Sequence, residues 1–340
     1  MDTRQWRRLR NATGTLAIVA VACLQMIAPG CRDAASQGSA SGPYKGPYPI
    51  QATATVGMVA DLVREVGGSE VQVKQLLGSG VDPHLYKPTR DDVQAILSGD
   101  VVFYNGLLLE GKMAETLQRL GRTKPTCAVA AAIKLPHDIA GADQKHPDPH
   151  VWMDVSLWSE AAQVTGEFLQ GYDPPHAEQY KARAQKLREQ LDRLHAYGKT
   201  VMGGIPKESR VLITSHDAFR YFGRAYAVEV EAIQGISTDS EAGLQRINQL
   251  VDLLVERKIG AVFVESSVPK ESIEALLEGA RSRGHEVTIG GELYSDAMGH
   301  DGTYAGTYIG MMDHNLTTIA RALGSTNVPE DGFQGYSQTE

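Results

Sequence analysis

The chain has 340 residues, with 33 Lys and Arg set against 41 Asp and Glu, for a net charge of −8. Without the first 30 residues, which hold four arginines and Asp2, 29 basic face 40 acidic residues and the charge is −11. Such a balance excludes nucleic acid and anionic membrane surfaces as probable partners, and the length allows two domains with separate cores.

Arg4, Arg7, Arg8 and Arg10 form a basic start, followed by an apolar run from Leu16 to Ala28 broken only by Gln25. That run is shorter than the roughly 20 residues a membrane span needs, so residues 1–30 read as a secretory signal. Cys31 directly after Gly30 resembles a bacterial lipoprotein cleavage and lipidation site, with Cys23 after Ala20-Val21-Ala22 as a weaker rival. Pro29 is unusual inside such a motif. Ser, Gly, Ala and Pro then dominate to Pro49, so 31–49 reads as a flexible tether. With Cys31 lipidated, Cys127 is the one ordinary thiol left, which excludes an intramolecular disulfide.

From Gln51 strand and helix signals alternate. Strands are predicted at Gln51–Val56, Val71–Leu77, Val101–Tyr104 and Thr126–Val129, and helices at Met58–Val66, Arg90–Leu97, Lys112–Leu120 and Val155–Leu169. The stretch Pro175–Gly198 lacks internal glycine and proline and reads as one long helical strut. The alternation then restarts, with strands at Arg210–Thr214, Val228–Ile233, Ala261–Val264 and Glu286–Ile289. The accompanying helices are Ala218–Arg224, Leu244–Arg257, Lys270–Arg283 and Gly306–Leu323. The pattern implies an α/β fold of two (β/α) lobes with parallel sheets, ligands lying at the carboxyl ends of strands. The corresponding domains are 50–174, a linking helix over 175–204, 205–324, and a C-terminal tail over 325–340.

Within this frame Asp82-Pro83-His84-Leu85-Tyr86 recurs as Asp148-Pro149-His150-Val151-Trp152. Proline stiffens each loop, and the aliphatic and aromatic residues that follow can bury and lock it. A rigid imidazole suits a metal ligand. His216, two residues past a strand, and Asp296, in the loop beyond Val287–Gly290, complete three imidazoles and a carboxylate, a plausible shell for one divalent first-row metal. Each has a plainer reading: a loop histidine is usually only hydrogen-bonded, His216-Asp217 could start a helix, and Asp296 could cap a turn. Glu265 is a rival carboxylate. His146, four residues before His150, could sample metal at the cleft mouth, and the other histidines read as surface residues.

With these residues in hand the chain from Ile50 to Leu323 resembles the zinc/manganese group of solute-binding lipoproteins that serve ABC importers. The supporting strings are Gly57-Met58-Val59-Ala60-Asp61-Leu62-Val63, the first Asp-Pro-His motif, Tyr104-Asn105-Gly106-Leu107 with Leu109-Glu110-Gly111-Lys112-Met113, and Gln234 to Gly243. The resemblance implies two lobes joined by one long helix and one metal ion in the interlobe cleft. It maps the ligands onto His84 and His150 from the N-terminal lobe and His216 and Asp296 from the C-terminal lobe. It implies an importer permease as partner, a lipid anchor to the membrane, a monomer, and a periplasmic or cell-surface location. Two departures stand out. Leu108 occupies a position where related sequences often carry histidine. The His- and Asp-rich loop of zinc specialists is reduced to 137–146. Both the short loop and the 235–243 and 294–298 strings favour Mn2+ over Zn2+ as cargo. A zinc hydrolase or a surface adhesin is the alternative; no His-Glu-x-x-His signature or exposed repeat supports either.

Overall fold

The computed structural model describes residues 42–136, 139, 147–239 and 243–336. The signal segment, Cys31, His146 and Ser240 to Ala242 lie outside them.

The N-terminal lobe is built on strands β1 (Ile50–Ala54), β2 (Val71–Gln75), β3 (Val101–Tyr104) and β4 (Thr126–Ala128), all parallel in the order β2-β1-β3-β4. Every residue of β3 is buried, which is why it reads as an uninterrupted apolar run and not as an alternation. The crossovers are α1 (Gly57–Gly67), α2 (Arg90–Ser98) and α3 (Ala114–Leu120). α2 starts where Thr89 and Asp92 form a reciprocal cap, and Asp92 also accepts from Tyr86 Oη at 2.6 Å. The first Asp-Pro-His loop is thereby tied to the helix that follows it.

α4 (Val155–Tyr172), capped by Asp154, runs beside α5 (Ala177–Gly203). α5 has 27 residues, about 40 Å at 1.5 Å each, and packs on α1 and α4 of one lobe and on α6 (Arg220–Tyr226) and α9 (Tyr308–Ala322) of the other. The stretch without internal glycine stops at Gly198, but the helix continues five residues further, to Gly203. A Cβ on Gly198 would stand 2.5 Å from the Tyr226 ring and 3.0 Å from Leu316. This glycine is a point of close helix approach and not a stop.

The C-terminal lobe holds β5 (Val211–Thr214) parallel to β6 (Glu229–Ala232), and β7 (Ala261–Glu265) parallel to β8 (Thr288–Leu293), with β5 lying against β7. α7 (Leu244–Arg257) and α8 (Glu271–Ser282) cover β7. The expected strand Glu286–Ile289 lies later in the chain, because Gly290 and Gly291 are inside β8 and do not end it. They sit at a register shift opposite Val262 and Phe263, where added Cβ atoms would strike Ala322 and Thr318 of α9.

Two further expectations change. Tyr44 and Tyr48 fix the end of the supposed tether: Tyr44 N donates to Tyr172 O, and Tyr48 Oη donates to Asp173 at 2.6 Å. The supposed C-terminal tail carries α10 (Gly332–Tyr336), whose Phe333 and Tyr336 rings lie 5.7 and 5.4 Å from Tyr197 of α5. In both cases aromatic residues in a polar stretch supply the apolar contact that composition alone hides.

One large core runs continuously through α1, α4, α5 and α9, across both lobes, and a smaller one fills the space between β5, β7, α7 and α8. The lobes therefore share packed apolar surface instead of meeting through bare strands.

Candidate metal centre

His84, His150, His216 and Asp296 converge between the lobes, one donor atom from each lying within 4.8 Å of all the others. His216 follows β5 by two residues and Asp296 follows β8 by three. His84 and His150 come from the Asp-Pro-His loops beyond β2 and β4. His84 Nε2 lies 3.3 Å from His150 Nε2 and 3.7 Å from Asp296 Oδ2. Asp296 Oδ1 is 3.2 Å from His150 Nε2, and Oδ2 is 3.3 Å from His216 Nε2. Donors at metal–nitrogen distances of 2.0–2.1 Å around a tetrahedral ion are about 3.4 Å apart, so the spacing suits one ion. His150, His216 and Asp296 are fully buried or nearly so, and His84 is 9% exposed, which makes it the outermost of the four.

Buried polar atoms ordinarily find hydrogen-bond partners. Here neither oxygen of Asp296, nor either ring nitrogen of His216, nor Glu265 Oε2 has a well-aligned partner among the described residues. Two of the imidazoles are held from behind. Asp148 Oδ1 accepts from His150 N at 3.0 Å and lies 2.7 Å from His150 Nδ1. Glu265 Oε2 lies 2.6 Å from His216 Nδ1, and its Oε1 accepts from His216 N at 2.8 Å. Each contact turns Nε2 toward the centre and raises the basicity of the ring, the usual arrangement behind a metal-bound histidine. Asp82 serves differently: Oδ1 accepts from His84 N at 2.8 Å, and Oδ2 accepts from Thr238 Oγ1 of the other lobe at 2.5 Å.

The electrostatics follow. Burial alone would lower both His150 and His216, but Asp148 and then Asp296 outweigh it at His150, raising it to about 9, and Glu265 and Asp296 raise His216. Burial lowers His84, and there Asp296 does not compensate. Burial pushes Asp296 up, yet the charges of His216 and His150 hold its carboxyl well below the usual range. The carboxylates around the centre thus favour the protonated form of His150 and His216.

Three sequence expectations are adjusted. Glu265 stands behind His216 and outside the four-donor cluster, so it is a supporting carboxylate. Asp148, which in the sequence is part of a stiff loop, supports His150 from behind; an acidic residue two places before a histidine is the signal that marks it. The two Asp-Pro-His loops also lock differently. Val151 and Trp152 are fully buried, with Trp152 Nε1 donating to Ser295 O, whereas Leu85 is 48% exposed and Tyr86 does the anchoring.

The model of the ZnuA family, described as zinc-uptake complex component A, periplasmic, matches residues 53–322. The chain belongs to this family. It is 48% identical over 275 residues to the manganese-binding lipoprotein MntA of Bacillus subtilis, covering 81% of this chain and 90% of that one. It is 42% identical over 294 residues to the zinc-binding protein TroA of Treponema pallidum, covering 86% and 92%. The solved structure of periplasmic TroA from Treponema pallidum superposes with a TM-score of 0.79 at 43% identity, covering 82% of this chain and all of that one. These agreements place this ZnuA-family chain among two-lobe metal-binding proteins.

Proposed function

We propose that this protein captures one divalent transition metal ion outside the cytoplasm, Mn2+ before Zn2+, and hands it to the permease of an ABC importer. His84, His150, His216 and Asp296 hold the cargo. The observation that carries this reading is the buried cluster of three Nε2 atoms around a carboxylate whose oxygens lack aligned donors. The metals in the names of these two relatives, manganese and zinc, both suit this donor set.

Three imidazoles suit zinc, which outranks manganese at almost any nitrogen and oxygen site. Both Asp296 oxygens face imidazole nitrogens, so the carboxylate can supply two donor atoms and lift the coordination number above the four zinc prefers. Zinc should bind at least as tightly in vitro, and manganese use then depends on geometry and supply. Four protein ligands also suit holding an ion better than hydrolysis, which keeps an open position for water.

Lipidation of Cys31, a monomeric state and the division into lobes 50–174 and 205–324 around the 175–204 helix belong to the same proposal. Among the described residues no helix is long and apolar enough to cross a membrane. Metal analysis of the protein taken from its native host under limiting metal, with 54Mn uptake by cells with and without it, tests the reading. Bound manganese and lost uptake are expected; zinc alone with unchanged manganese uptake would reverse the order.

A further inference from the structure

The turn from Asn105 to Gly111 carries none of the four ligands, yet it holds two of the four non-glycine residues with positive φ among the described residues. Gly106, Leu107, Leu108 and Gly111 all have positive φ, at 84°, 54°, 68° and 45°. Glycine adopts such angles freely; leucine does so only under constraint from its surroundings. The constraint is Glu110, which is fully buried. Its Oε1 accepts from Asn105 N at 2.7 Å and from Thr55 Oγ1 at 3.0 Å, and its Oε2 accepts from Gly106 N at 3.3 Å. Burial raises this carboxyl to about 7 even though those donors pull it down.

The clamped turn touches both N-terminal ligand loops. Asn105 Nδ2 donates at 3.0 Å to Pro149 O, the carbonyl immediately before His150. On the other side a Cβ on Gly111 would stand 2.4 Å from the carbonyl oxygen of His84. One rigid turn thus abuts the backbone of both histidines, whose Nε2 atoms are 3.3 Å apart.

We infer that Glu110 and Asn105 are positioning residues, and that the strained 105–111 turn is a spacer fixing the separation of His84 and His150 for the metal. A turn that merely joined β3 to α3 would be eased by glycine at 107 and 108. A spacer loses precision by the same change. The inference rests on the proposed metal site.

The test uses Co2+ as the probe, read by its visible absorption, by competition for affinity and by thermal unfolding of the metal-free protein. Glu110→Gln replaces one acceptor oxygen by a donor facing the turn, and Asn105→Ala removes the link to Pro149. Both should weaken Co2+ binding tenfold or more and alter the visible bands. Leu254→Ala, in the separate C-terminal core, should lower stability while leaving spectrum and affinity unchanged. Leu108→Gly, which removes an exposed side chain from a positive-φ position and should fold readily, is expected to raise the unfolding temperature yet weaken Co2+ binding at least threefold. Unchanged spectra and affinity in Glu110→Gln, or undiminished affinity in Leu108→Gly, would overturn the inference alone. A wild-type chain that binds no Co2+ would overturn the metal site, and the inference with it.

Discussion

Glu265 and His216 form the pair on which the C-terminal half of the site depends: Glu265 Oε2 is 2.6 Å from Nδ1, while Nε2 of the same ring lies 3.3 Å from Asp296. Asp148 stands in the same relation to His150. Outer carboxylates of this kind usually change metal affinity by 10- to 100-fold when removed. Glu265→Gln and Asp148→Asn should therefore each weaken Mn2+ and Zn2+ binding by about that factor in competition titrations, without changing the stoichiometry. Affinities within twofold of wild type would return both to a purely structural role.

A second prediction concerns pH. His150 is raised to about 9 and His216 is raised too, so below that range the metal must displace protons to bind. Observed affinity should climb with pH from neutrality toward about 9, a higher window than the fall below pH 6 expected from an unperturbed imidazole. The sign for the metal-free protein is opposite. A raised histidine pKa contributes stability in full below about 6.5 and loses it as pH rises through about 9. Unfolding temperatures of the metal-free form should drop across that window while those of the loaded form hold. Affinity that is flat between about pH 6 and 9 would contradict the assignment of these rings.

Third, two helix glycines, Gly198 in α5 and Gly171 in α4, separate packing from propensity. Gly198→Ala places a Cβ 2.5 Å from Tyr226 and should destabilise by about 1–3 kcal/mol, more than alanine gains in helix propensity. Gly171→Ala in α4 meets nothing within 4 Å and should be neutral or stabilising by up to about 1 kcal/mol. Thermal unfolding of the two variants with equal effects would refute the close-packing account.

Fourth, the core shared across α1, α4, α5 and α9 opposes a wide clamshell, and bending a long helix breaks hydrogen bonds. On metal release the lobes should move only modestly, with hydrogen-exchange changes concentrated in the loops carrying His216 and Asp296. A large fall in radius of gyration on loading, with no protection in those loops, would point to a true clamshell.

The alternation, the long helix and the pair His84 and His150 were legible because each rests on local signals: apolar runs, a glycine-poor charged stretch, and a repeated Asp-Pro-His, whereas His216 and Asp296 were set apart from plainer readings by the family resemblance. What escaped depends on contacts between distant segments. Gly198 and Gly290-Gly291 look like breaks in a one-dimensional pattern, and only the proximity of Tyr226, Phe263 and Thr318 makes them close-packing sites. Tyr44 and Phe333 sit in polar stretches that read as tether and tail until Tyr172 and Tyr197 are beside them. Glu265 read as a competing ligand because sequence cannot tell which face of a histidine a carboxylate will meet.

Titration of single alanine variants with Mn2+ and Zn2+ tests most directly whether His84, His150, His216 and Asp296 hold the cargo. Wild type should bind one ion per chain, and each variant should lose at least tenfold in affinity, about 1.4 kcal/mol. Asp296→Ala should lose most, because it removes the carboxylate shared by three imidazoles. Wild-type affinity for both metals in any two of the four variants would contradict the account.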